Sequence, residues 1–195
     1  MRQARIERKT RETEIALSLC LDGTGKAAID TGVGFLNHML ELLSFHSGID
    51  LAVSCMGDTL VDDHHSVEDV GIALGQALSE ALGDKKGVFR YGNFLLPMDE
   101  ALVLCALDLS GRDTLGYQVT LPAQKVGSFD TELVKEFMLA FCRSAKCCLH
   151  FYQLAGENTH HIIEAMFKGL GRALRQAVSI DPARAGETPS SKGVL

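Results

Sequence analysis

Six side chains able to hold a divalent metal stand in one pattern that is written twice along the chain. His64-His65-Ser66-Val67-Glu68 opens one apolar, helix-periodic stretch, and His160-His161-Ile162-Ile163-Glu164 opens another. The first histidines are 96 residues apart, and each Glu follows its first His by four. Imidazole nitrogen and carboxylate oxygen suit a divalent cation, and a spacing of four brings them onto one helix face. Adjacent residues point about 100° apart, so His64 and His65 are poorly placed to chelate one ion together. Two boxes brought together would instead hold two ions, each drawing ligands from both. The plain alternative for one box alone is a polar helix start, with Asp63 as N-cap and the histidines solvated. The duplication argues against it.

The likeness between the boxes continues past them. Gly75 lies over Gly171, and Ala77-Leu78 lies over Ala173-Leu174. A glycine inside a helix costs about 1 kcal/mol against Ala and signals close helix–helix approach. Upstream, the segment around His38 lies over the segment around Glu136 at an offset of 98, so both residues are candidates to complete a metal shell. The chain reads as one domain of two repeats, about 1–87 and 88–180, with a tail over 181–195. Each repeat has a β-β-α-β-α-type pattern.

Alternation predicts strands over 12–21, 49–56, 88–95, 101–109, 115–121 and 147–154. Helices are expected over 35–46, 66–82, 130–145 and 159–178, the third capped by Asp130 or Ser128. Sheets apolar on one face, with amphipathic helices, argue an α+β fold in which helices pack together between two sheets.

Composition narrows the partners. A chain of 195 residues can bury a core that two repeats share. A formal charge of −6 and a pI of about 5.6 speak against nucleic acid. No apolar run reaches membrane-spanning length, and the N-terminus lacks a signal-peptide core. Six cysteines form no CxxC and read as reduced thiols of a cytosolic protein. A cytoplasmic location follows, or a chloroplast one if a transit peptide was removed.

The other chemical residues divide into acids and cations. Glu12 and Glu14 share one strand face, and either could serve as a base; solvent exposure is the bland reading. His46 and His150 lie among apolar residues, where a lone histidine is more often part of the core than a ligand. Lys168 follows Glu164 by one turn, so a fixed cation shares a face with a metal ligand. Arg90, Arg112 and the Pro189-Ser190-Ser191-Lys192-Gly193 run offer the forks and hydroxyls that suit phosphate oxygens, although each alone is an ordinary surface group. The residues by themselves describe a duplicated dinuclear metal enzyme with an anionic substrate.

Taken together these segments resemble the imidazoleglycerol-phosphate dehydratase family, over essentially the whole chain. The likeness is carried by Arg8-Lys9-Thr10-Arg11-Glu12-Thr13, Gly32-Val33-Gly34-Phe35-Leu36-Asn37-His38, Asp62-Asp63-His64-His65 and Pro97-Met98-Asp99-Glu100-Ala101. It continues in Asp108-Leu109-Ser110-Gly111-Arg112, Asn158-Thr159-His160-His161 and the tail from Pro189. The resemblance implies a ribosomal protein S5 domain 2-like fold, with helices between two mixed four-stranded sheets. It implies a hydro-lyase of histidine biosynthesis with two manganese ions per active site. His38, His64, His65, Glu68, Glu136, His160, His161 and Glu164 then take the ligand positions. Glu12 takes the acid/base position, with His38, His65 and His161 also in the catalytic set. Arg90, Arg112, Lys168, Ser190, Ser191 and Lys192 fall at the substrate, beside Glu12.

The family further implies a homo-oligomer of 24 subunits with sites completed between subunits, while the tail over 181–195, too irregular in Pro, Gly and Ser to build a core, is expected to close over the phosphate through Ser190 and Lys192. Two departures stand out: Glu136 where many members carry His, and Asn37 where Asp is common before His38. Two other classes stay open on the residues alone. One is a metal-dependent hydrolase of phosphorylated small molecules; the other is a metal-binding assembly protein without catalysis.

Overall fold

A computed structural model describes residues 1–195. The first repeat runs β1 (Gln3–Lys9), β2 (Thr13–Cys20), β3 (Ala27–Asp30), α1 (Gly34–Ser47), β4 (Asp50–Gly57) and α2 (His64–Leu82). The second runs β5 (Tyr91–Met98), β6 (Ala101–Asp108), β7 (Thr114–Gln118), α3 (Leu133–Ala145), β10 (Cys148–Ala155) and α4 (Thr159–Val178). A small hairpin, β8 (Lys125–Val126) with β9 (Phe129–Asp130), is inserted before α3. The two sheets have equivalent strand orders, β1-β2-β4-β3 and β5-β6-β10-β7. In each, the short edge strand runs parallel to its neighbour and the other pairs are antiparallel. The fold is α+β with two mixed four-stranded sheets, as the sequence implied.

Two strands escape the alternation rule. β1 buries only Ile6 among charged neighbours, and β3 is four residues long with none buried. Both are edge strands, where the ladder on one side holds the chain without an apolar face. β5 begins at Tyr91 rather than near 88, which leaves Arg90 in the turn before it. Asp130 lies in β9 and does not cap α3. The β8–β9 hairpin instead sets Phe129 against Phe35 of α1, with ring centroids 5.1 Å apart.

The repeats exchange helix partners, and this positions the site. α2 lies on β1 and β2, and α4 lies on β5 and β6. α2 then packs on α3, and α4 packs on α1, so each helix pair joins the two repeats. The matched glycines sit at these crossings. A Cβ at Gly75 would stand 2.6 Å from the Phe141 carbonyl oxygen, and one at Gly171 would stand 3.0 Å from that of Leu43. Phe137, Phe141, Phe151 and Phe167 are fully buried in the core that results. His38 on α1 is thereby delivered to the second box, and Glu136 lies on α3, the helix that packs on α2. No helix is long and apolar enough to cross a membrane.

Candidate metal centre

The second box is the more completely assembled. The Asn158 side chain accepts the N–H groups of His160 (2.9 Å) and His161 (3.3 Å), so α4 starts at the box itself. His160 Nε2 is 3.2 Å from Glu164 Oε2. His38 joins them, and one ligand atom from each of the three lies within 4.8 Å of the others. Two imidazoles and one carboxylate are a donor set that fits manganese and similar divalent ions. Burial alone would raise the pKa of Glu164. The Lys168 ammonium, 2.5 Å from Oε1, together with His160 and His38, outweighs burial and holds the carboxyl below the ordinary range. His161 turns elsewhere: its Nδ1 donates to Glu100 Oε2 (2.7 Å), and its Nε2 is 3.6 Å from Asp99.

The first box repeats much of this. Asp62, not Asp63, accepts the His64 N–H, at 2.8 Å. His64 Nε2 is 3.8 Å from Glu68. His65 Nδ1 donates to Asp58, with both carboxylate oxygens 3.0–3.1 Å away, and its Nε2 is 3.9 Å from Glu12. The rings of His64 and His65 are splayed by 77°, as are those of His160 and His161. Neighbouring histidines therefore face different directions in both boxes. Glu136 is half-buried on α3 and forms no close group with His64 and Glu68 of the kind that His38 forms.

Carboxylates behind the second histidines were not legible as such. Asp58 raises the pKa of His65, and Glu100 raises that of His161. In return, the His161 hydrogen bond helps bring Glu100 down to about 2. A carboxylate bonded to Nδ1 fixes the ring and leaves Nε2 as the free ligand atom. Asp58 and Glu100 come from the end of the β4 strand region and from the β5–β6 turn, and no helical spacing links them to the boxes.

The acids Glu12 and Glu14, which parity could not separate, are parted by the hairpin. Glu12 lies in the β1–β2 turn, facing His65, whereas Glu14 pairs with Lys9 at 2.6 Å. Asp69 ties that turn to α2, accepting from Arg8 Nη2 (2.7 Å) and Thr13 Oγ1 (2.5 Å). Asn37 accepts from the N–H and hydroxyl of Thr31, and so shapes the entry to α1. His46 sits at the Gly171 crossing and His150 beside Gly116, so neither joins the metal group.

The candidate phosphate residues divide between two ends of the molecule. Lys168 stays with Glu164. The Arg90 N–H bonds the Ala177 carbonyl in the last turn of α4 (3.0 Å). At about 1.5 Å per residue, that places Arg90 roughly 25 Å from His160 in the first turn. Its guanidinium donates to both Asp108 oxygens (2.7 and 3.2 Å) and to the Pro189 carbonyl (2.9 Å). The Leu109 N–H bonds the Arg90 carbonyl, bringing the Ser110-Gly111-Arg112 turn alongside, and Leu195 at the chain end reaches Gly111. Lys192 N–H donates to Ser190 Oγ (3.2 Å) within the same tail.

The imidazoleglycerol-phosphate dehydratase family profile matches residues 31–174. The chain belongs to that family. It is 58% identical over 194 residues to the imidazoleglycerol-phosphate dehydratase of Desulforamulus reducens, covering 100% of this chain and 98% of the relative. It is 56% identical over 195 residues to that of Synechococcus sp. (strain WH7803), covering 100% and 96%. The crystal structure of the Staphylococcus aureus imidazoleglycerol-phosphate dehydratase superposes with a TM-score of 0.84 at 44% identity, over 92% of this chain and 99% of that one. The Pyrococcus furiosus structure gives 0.84 at 39% identity, over 97% and 100%.

In this member of the family, a broad surface groove lies away from the boxes. About 560 Å³ lies on the outer face of the first sheet, between Arg5, Ser18, Lys26 and Ala52. The boxes themselves lie open at the surface, with His64, Glu68 and His160 each about two-fifths exposed.

Proposed function

We propose that the chain dehydrates imidazole glycerol phosphate to imidazole acetol phosphate, a step of histidine biosynthesis, at a site holding two manganese ions. The observation that carries this is the convergence of His38, His160 and Glu164 in a chain of this family, with Glu12 set against His65. The eight ligand positions are His38, His64, His65, Glu68, Glu136, His160, His161 and Glu164. Manganese held by these residues would act as a Lewis acid toward the substrate's imidazole ring and make that ring a better electron donor.

The chain's own residues do the rest. The proton beside the leaving hydroxyl is not acidic in the starting substrate. Once ring electrons expel the hydroxyl, that C–H becomes acidic and Glu12 takes its proton. The enol that forms tautomerises to the ketone. Arg90, Arg112, Ser190, Ser191 and Lys192 hold the phosphate, and Lys168 adds positive charge on the metal side. His65 and His161, each fixed by a carboxylate at Nδ1, would present Nε2 to a metal ion.

A single chain holds the two halves of this site about 25 Å apart. A substrate with one three-carbon arm cannot bridge that distance. The reading is therefore a homo-oligomer, of 24 copies by family likeness, in which the metal half of one copy meets the phosphate half of another. Incubating manganese-loaded protein with imidazole glycerol phosphate should yield imidazole acetol phosphate. Release of inorganic phosphate instead would favour a hydrolase, and no turnover with metal-dependent association would favour an assembly protein. A His64→Ala/His160→Ala double variant should lose bound manganese; two ions per chain still bound would refute the ligand assignment.

A further inference from the structure

Lys85 carries a buried charge that the proposed chemistry leaves unused. It lies in the turn between α2 and β5, 9% exposed, and its Nζ donates to the Leu109 carbonyl at 3.2 Å. No carboxylate oxygen lies within ion-pair distance of that ammonium. The nearby Cys147 thiol is no counter-ion, because the Cys142 hydrogen bond and burial push its pKa up and keep it neutral. Burial lowers the pKa of Lys85 itself, which Asp108 offsets only in part. Lysine is almost never buried without a partner, because a lone ion out of water is costly. The backbone adds a second cost: φ is 57° at Lys85 and 72° at Arg90, in the left-handed region that favours glycine. A methionine would fill much the same space without the ion, so packing alone does not explain the lysine. Costs of this kind gather at functional sites.

The surroundings of the ammonium give the charge a use. On one side of Leu109, Asp108 accepts from the Arg90 guanidinium. On the other, Ser110 Oγ accepts the Arg112 N–H at 3.2 Å. The Leu109 N–H bonds the Arg90 carbonyl at 3.1 Å. Lys85 therefore stands behind the one residue that ties both arginines together. Of the three cations, Lys85, Arg90 and Arg112, only Arg90 has a carboxylate within ion-pair distance. Positive charge is thus in surplus at this end, and the part that Lys85 supplies is out of water, where salt screens it least.

We propose that Lys85 is a positioning residue for the substrate phosphate. Through the Leu109 carbonyl it sets the Ser110-Gly111-Arg112 turn against Arg90, and its unpaired charge strengthens the hold of both arginines on a dianion. A phosphate that arrives there supplies the negative charge that the folded chain withholds from Lys85. The proposal rests on the reading above that Arg90 and Arg112 bind the phosphate.

The test compares Lys85→Gln, which keeps an N–H donor and loses the charge, with Lys85→Arg, which keeps the charge. Lys86→Gln is the control, since Lys86 is exposed and pairs with Asp84 at 3.0 Å. Full chains loaded with manganese are assayed for KM and kcat on imidazole glycerol phosphate, and melted with and without inorganic phosphate. Lys85→Gln should raise KM roughly tenfold or more, hold kcat within about twofold, and lose most of the melting shift that phosphate gives. Lys85→Arg should restore most of both, and Lys86→Gln should match the parent. A purely structural lysine would give a lower melting temperature in Lys85→Gln with KM and the phosphate shift unchanged, and that result overturns the proposal. So does an arginine variant no better than the glutamine one. If Lys85→Gln does not fold, Lys85→Met is read in its place; failure of both to fold assigns the residue to structure and also overturns the proposal. The reading beneath it is tested by Arg90→Gln. A parent-like KM and phosphate shift there would discard the phosphate end itself. Their loss in Arg90→Gln, with Lys85→Gln parent-like, would discard Lys85 alone.

Discussion

At the scale of single residues, two carboxylates in one neighbourhood have been given different work by their surroundings. Glu14 is neutralised by Lys9 on an exposed strand, while Glu12 is held in a turn 3.9 Å from His65 Nε2. Replacing Glu12 by Gln should leave manganese content unchanged and slow turnover by roughly 10²-fold or more, because the proton acceptor is lost and no ligand is. Glu14→Gln should be silent in both respects. Steady-state rates alongside metal analysis check the pair, and an unaltered rate in Glu12→Gln removes it from the mechanism.

At the scale of elements, the helix crossings and the turns hold these residues in place. Gly75 is the tighter crossing: an added Cβ meets the Phe141 carbonyl at 2.6 Å and the Ala145 nitrogen at 2.8 Å, both backbone atoms that cannot swing aside. At Gly171 the nearest approaches are 3.0–3.1 Å. Gly75→Ala should therefore destabilise by about 1–3 kcal/mol despite its better helix propensity, and Gly171→Ala by less. Urea unfolding of both variants measures the order, and a stabilised Gly75→Ala would contradict it.

The turn after β2 offers a pH-dependent check on the same scale. Asp50 accepts the N–H groups of Thr24 and Lys26, each at 2.8 Å, and these bonds hold its carboxyl below the usual range. A depressed folded pKa adds stability above the unfolded value, roughly pH 4, and that stability is lost as pH falls through the lower folded value. Asp50→Asn should melt below the parent at about pH 7, with the gap closing below about pH 3. Thermal melts across that range read it directly; parallel curves would count against the assignment.

At the scale of the whole molecule, the tail lies against the Arg90 end, where the phosphate is proposed to bind. Arg90 holds the Pro189 carbonyl, and Leu195 reaches Gly111, so the last seven residues lie over the Arg90–Arg112 cluster. Truncation before Pro189 should preserve melting temperature and manganese content while raising KM for imidazole glycerol phosphate. That result follows because the removed residues bury no core and hold no metal. An unchanged KM and kcat would mean that the tail is an ordinary chain end.

Local chemistry was legible from residue order alone. The i, i+4 spacing places His64 with Glu68 and His160 with Glu164, because helical period fixes which side chains share a face. The glycines at 75 and 171 announced close crossings for the same reason, and the repeat announced two matching halves. What residue order could not decide was every relation across the chain. Strands β1 and β3 carry too little buried apolar surface to show a period. Glu12 and Glu14 have the same parity until the hairpin turn separates them. Asp58 and Glu100 stand behind His65 and His161 only because a strand end and a turn come back to the helix starts. Arg90 and His160 proved to lie at opposite ends of α4, because the path of β5 along that helix is set by packing. Periodicity is a property of neighbours in sequence; the separation of Arg90 from His160 along α4 is a property of the packed core.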